Sequence, residues 1–350
     1  MRLKYCQSIL LVLGSIMSAT AAHALTPELS QAHTIHDVHN VEDLTVINSH
    51  WVVGSGLPDL KGKGHLYLFN TADKRAQDIR KDIKVAPDAK SFPACTTPPD
   101  FSRMATHGLD YDARNHLLYV VAHNSREAVE VFHVGNTDGT PQFTWKGCIP
   151  SPKGTYVDAV AAINDGQVVL SDISDLTQSS NKHKIASGQP VGGVYIWSAK
   201  GIHNLPGADK ISGPNGVIAT RDGRDIYVVA TGTRQVFHFT KSGSSYTSSH
   251  VDIPFTPDNI RWTPDNKMIF VGGQGASFNE VVACNERKTP YCTSVPTRLD
   301  IMNPKTLKLT PVLPNKGYKG VTSGTGAVIA NHELWISSTK SDHIVVIPLK

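Results

Sequence analysis

Glu42, Asn215 and Asp258 are two carboxylates and an amide, each at the start of a short apolar run, and Asn259 adds a second amide. Oxygen donors of this kind are what a hard divalent cation such as calcium takes. His107 opens another such run, and His123 ends the segment after it. A neutral imidazole is the side chain best placed to exchange a proton near neutral pH. Asp43 and Asp158 form a further acidic pair one residue on from the first set. The chemistry these types allow is a cation site beside a proton-transfer group. A competing reading makes Asn215 and Asp258 ordinary turn or cap residues, a use to which Asx side chains are well suited.

These residues lie far apart in the chain, so an architecture must gather them. Six loosely similar segments begin at Glu42-Asp43-Leu44, His107-Gly108-Leu109, Val157-Asp158-Ala159, Pro214-Asn215-Gly216-Val217, Pro257-Asp258-Asn259-Ile260 and Thr322-Ser323-Gly324. Their spacing of roughly 40 to 65 residues is that of propeller blades. Within the fourth, Asn215 to Ala219, a turn at Arg221-Asp222-Gly223-Arg224, Asp225 to Ala230 and Gln235 to Phe239 read as successive hairpin strands. The pattern predicts an all-β, six-bladed β-propeller with a central metal-binding channel, onto which the innermost strand of every blade faces. Ring closure is expected from a strand within residues 25–39 beside the C-terminal ones. Residues 174–190 read as a polar surface loop. His33, His36 and His39, spaced by three, read as an extended surface strand rather than a metal site on a helix.

The chain has 350 residues, 18% of them charged, and a formal charge of +4. Arg2 and Lys4, the apolar run Ile9 to Leu13 and Ala22-His23-Ala24 have the layout of a cleavable secretory signal. The expected organisation is therefore a signal over 1–24 and one propeller domain over 25–350, in the periplasm or secreted. The apolar run falls short of the ~20 residues a membrane span needs, so no stable membrane insertion is expected. Losing Arg2 and Lys4 lowers the charge from +4 to +2. No basic run interleaved with aromatics is present, which argues against nucleic acid. Of five cysteines, Cys6 falls in the signal. The other four predict two disulfides in an oxidising compartment: Cys284 with Cys292, which flank a short polar insertion, and Cys95 with Cys148. No G-x-S-x-G, phosphate-binding glycine loop, H-E-x-x-H or C-x-x-C occurs.

The segments Pro214 to Val217, Asp222-Gly223-Arg224, Ile226-Tyr227-Val228 and Pro257 to Ile260 resemble the six-bladed calcium-dependent lactonases and arylesterases. That group includes gluconolactonase and regucalcin, the paraoxonases and strictosidine-synthase-like proteins. Glu42-Asp43-Leu44, His107-Gly108-Leu109 and Leu118 to His123 are most similar to the paraoxonases. The resemblance implies a catalytic calcium on Glu42, Asn215, Asp258 and Asn259. It also implies a structural calcium on Asp43 and Asp158, with backbone help near Leu109, and a histidine pair, His107 and His123. The implied activity is hydrolysis of a small-molecule lactone or aryl ester by water attack on a metal-polarised carbonyl. Val157 departs from the pattern, standing where the family places an asparagine ligand. A paraoxonase-type disulfide joining the chain ends has no counterpart. Two alternatives stay open: a non-catalytic propeller binding a small ligand or a protein partner, and a metal-independent strictosidine-synthase-like enzyme.

Overall fold

Tight turns at Asp222-Gly223, with Gly223 at φ +65°, and at Pro264 to Asn266, with Asn266 at φ +55°, fold successive apolar runs back on themselves. The left-handed conformation these turns need is one that Gly and Asn adopt readily. Six sheets result, antiparallel except for Lys84–Val85, which lies parallel to Gln142–Pro150 at the outer edge of one, in a computed structural model that describes residues 25–136, 138–289 and 291–350. The expected signal over 1–24 lies outside the described residues.

Each sheet is one blade. The inner strands run Val41–Asn48, Ala105–Asp112, Val157–Ala162, Pro214–Ala219, Thr256–Trp262 and Gly324–Ala330 for blades 1 to 6. Blade 6 is completed by His33–His36, which pairs antiparallel with His343–Pro348, so the expected closure by the N-terminal segment is what the fold uses. His33 and His36 are exposed on that outer strand, as expected of an extended surface segment, whereas His39 lies past its end, half-buried, with its N–H donating to the Tyr67 hydroxyl at 3.0 Å.

Both faces of every blade are covered, so most of its strands read as unbroken apolar runs rather than alternating ones. In blade 4, Val217, Ile226 and Val228 pack toward blade 3, against Ala159 and Val169. Their chain neighbours Ile218, Tyr227 and Val229 pack the other way, against Ile260 and Val271 of blade 5. Six such apolar seams close the circle, the last joining Val328 and Trp335 of blade 6 to Leu44 and Phe69 of blade 1. Burying apolar surface at about 25 cal/mol per Å², these seams hold the ring together, since almost all hydrogen bonding between strands stays within a blade.

Both expected disulfides form. Cys95–Cys148 (Cα–Cα 5.3 Å) ties the 86–104 segment to the fourth strand of blade 2, and Cys284–Cys292 (5.7 Å) closes a loop on blade 5. The expected polar loop over 174–190 is corrected in part, because it contains the helix α1, Ser179–Ala186. A second helix, α2, Phe278–Asn285, fills the blade 5 insertion and begins with a capping box between Ser277 and Glu280. No helix among the described residues is long and apolar enough to cross a membrane.

Candidate functional site

All six inner strands lose regular register near their start. The breaks fall between Val41 and Asp43, Thr106 and Leu109, Val157 and Val160, Pro214 and Val217, Pro257 and Ile260, and Gly324 and Ala327. A bulge re-aims the unpaired side chain. Glu42, His107, Asp158, Asn215 and Asp258 all sit in these breaks and all line one cavity of about 540 Å³ at the mouth of the channel. Close approach of neighbouring inner strands requires glycine: a Cβ on Gly108 would lie 2.5 Å from the Asp158 carbonyl oxygen, and one on Gly216 2.7 Å from that of Asp258.

Glu42 is 1% exposed, and its Oε1 accepts from Asn259 Nδ2 at 2.5 Å. Asp258 Oδ2 accepts from Gln274 Nε2 at 2.6 Å. Asn259 does not line the cavity itself; it lies behind Glu42, fully buried. Four buried oxygens here have no partner among the described residues: Glu42 Oε2, Asp158 Oδ1, Asn215 Oδ1 and Asn259 Oδ1. Buried polar atoms are almost always satisfied, so four such oxygens from four blades are suited to an electropositive group. Burial pushes the Glu42 and Asp158 carboxyls well above the usual range, and neighbouring carboxyls push them further. Burial lifts Asp258 to about 7, against the hydrogen bonds from Gln274 and Asn215. The donor set, carboxylates plus amide oxygens, is one that calcium accepts. Among the described residues no three His, Cys, Asp or Glu side chains alone form a metal cluster; here two of the donors are amides.

The histidines form a line. His123 Nδ1 lies 2.6 Å from Glu127 Oε2, and His123 Nε2 lies 3.2 Å from His107 Nδ1. Tyr156 stacks flat on His123 with ring centroids 4.0 Å apart. With Glu127 accepting from His123 Nδ1–H, a neutral His123 has only an acceptor at Nε2. His107 must then donate from Nδ1, which leaves its Nε2 lone pair facing Asp158 Oδ2 at 3.5 Å and Glu42 Oε2 at 3.9 Å. Burial, and then His123, hold the His107 pKa well below the ordinary histidine value, which favours the uncharged ring.

The expected second acidic pair does not assemble. Asp43 turns away from the cavity to the Arg261 guanidinium and accepts from the Leu109 N–H at 2.8 Å. Asp158 instead joins the first set beside His107. It shares the tier of Asn215 and Asp258 because each of the three directly follows the first residue of the same break in its inner strand. Val157 is fully buried in the seam between blades 2 and 3, so its side chain offers nothing to the channel. Sequence reasoning missed Arg261, Gln274, Tyr156, Glu127 and Lys340. Only Glu127, four residues after His123, carried a signal. Lys340 is 9% exposed and lines the cavity with its ammonium unpaired among the described residues.

A roof covers the mouth. Ile185 of α1 packs with Phe278 of α2, Lys182 pairs with Glu286, and the Cys284–Cys292 disulfide anchors the end of α2. Leu57, Ile173, Phe278 and Val281 give the cavity an apolar wall above its polar floor.

Solved structures of the same form exist. A gluconolactonase from Xanthomonas campestris superposes with a TM-score of 0.54 at 16% identity, over 91% of this chain and 89% of that one. A putative gluconolactonase gives 0.55 at 14%, over 93% and 94%. A luciferin-regenerating enzyme gives 0.52 at 10%, over 93% and 94%. The chain has the six-bladed fold of the lactonase-type propellers. At these identities the likeness is one of fold alone. No protein-family model matches the chain, and no curated protein matches it by sequence.

Proposed function

We propose that the chain is an exported, calcium-dependent hydrolase of a lactone or aryl ester, with its site in the cavity lined by Glu42 and His107, the upper of two along the axis. The observation that supports it is the set of four buried oxygens, without partners among the described residues, beside a histidine whose uncharged form burial favours. Glu42, Asn215, Asp258 and Asn259 would hold the ion, and Asp158 takes the share that Val157 leaves open. A bound divalent ion would supply Lewis acidity toward the substrate carbonyl. His107 Nε2 accepts the proton of the attacking water and returns it to the departing oxygen as the acyl C–O bond breaks. His123 and Glu127 fix the tautomer that keeps this lone pair available, and Tyr156 holds the His123 ring in plane. The apolar wall seats the organic part of the substrate and excludes bulk water. Two disulfides support an oxidising location, and the mature chain would begin at Leu25 as one domain.

The test is elemental analysis of the purified mature protein, followed by assay on a lactone and ester panel. Bound calcium, hydrolysis abolished by chelation and restoration by added calcium are the expected results. Full activity in metal-free protein would overturn the metal's role. Calcium bound with no hydrolysis across the panel would favour a binding-only propeller.

A further inference from the structure

Arg261 lies two residues beyond Asn259 on the inner strand of blade 5 and is 7% exposed. Its guanidinium crosses the channel. Nη2 donates to the Asp43 carboxylate and to the Leu109 carbonyl at 2.7 Å, Nε donates to the Leu44 carbonyl at 3.1 Å, and Nη1 donates to the Ile260 carbonyl at 3.1 Å. A carboxylate and main-chain carbonyls from blades 1 and 2, converging on one buried point, are donors that suit a hard cation. Here that point is filled by a side chain that is always charged and whose forked donors match the acceptors.

We propose that Arg261 is a built-in replacement for a second cation, so that the chain holds at most one divalent ion, in the upper cavity. Asp43 is neutralised by a covalently attached charge, whatever the ion concentration outside. The same side chain ties blades 1, 2 and 5 together across the axis. It also forms a floor: Arg261 lines the lower cavity of about 600 Å³, while neither it nor Asp43 lines the upper one. The upper cavity is therefore a dead end rather than part of a through-channel.

The proposal is tested by calcium stoichiometry and by unfolding temperature as calcium is raised, in wild type, Arg261→Ser and Arg261→Lys. The readout is a difference between variants, so it stands whether or not the upper site is catalytic. Arg261→Ser exposes the acceptors and is expected to take up one more calcium per chain than wild type, with a lowered unfolding temperature that calcium restores. Arg261→Lys keeps the charge and is expected to gain none. Two ions in wild type, an added ion in Arg261→Lys, or an Arg261→Ser chain that neither gains an ion nor responds to calcium would overturn it. Should Arg261→Ser fail to fold, Asp43→Asn strands the guanidinium without its counter-charge, and Asp43→Asn/Arg261→Ser removes both partners. Partial recovery of the unfolding temperature in the double variant is expected; strictly additive losses would overturn the pairing.

Discussion

His107 is the residue on which the proposed chemistry turns. Its Nε2 faces the Asp158 and Glu42 carboxyls, and burial favours its uncharged form. His107→Gln is expected to lower kcat by roughly 10²- to 10⁴-fold, the usual contribution of a general base, with unchanged circular dichroism and calcium content. Glu127 acts through His123 and is a positioning residue. Glu127→Gln should lower kcat less than His107→Gln does and leave KM near its original value; a change in KM alone would mean a surface role. Asp258→Ala removes a donor from the cluster, and calcium content measured after gel filtration should fall with activity.

The inner-strand bulge places these residues, and glycine permits it. Gly216→Val would drive a side chain into the Asp258 carbonyl, 2.7 Å from the Cβ alone. A loss of about 1–3 kcal/mol is expected from such overpacking, read by urea unfolding, with weaker calcium binding because the Asp258 strand must move. The same feature explains what could and could not be read from the sequence. Strands and turns were legible, since Asp222-Gly223 punctuates two apolar runs. The grouping of Glu42, Asn215 and Asp258 was legible from their equivalent places in the repeats. The tier of Asp158 was legible in the same way, since it holds the second place in its segment as Asn215 and Asp258 do, and pairing it with Asp43 ran against that register. Arg261 was not legible, because in a segment of alternating strand residues nothing marks which blade its guanidinium will reach. The two helices are eight residues each and too short to show a period.

Across the molecule, polar ties between blades that are not neighbours supplement the apolar seams. At the lower mouth Arg221 of blade 4 donates to Asp112 of blade 2 at 2.8 Å. Burial raises the Asp112 carboxyl, but Asn115 and Arg221 outweigh it and hold its pKa below the usual value. The folded state therefore favours the charged form. That contribution is complete above the ordinary carboxylate pKa of about 3.9 and is lost as pH falls from there through the folded value. Asp112→Asn should cost about 1–2 kcal/mol near neutrality, and in urea unfolding across pH the gap from wild type should shrink below pH of about 4.

The pairing of His33–His36 with His343–Pro348 sets a temporal constraint as well as a spatial one. A ribosome makes one partner about 300 residues before the other. During the interval the apolar sides of Leu44, Val52 and Phe69 have no sixth sheet to rest on. A product stopped before Gly324, where the inner strand of blade 6 begins, would stay an open horseshoe, with bare flanks inviting proteases and association with other chains.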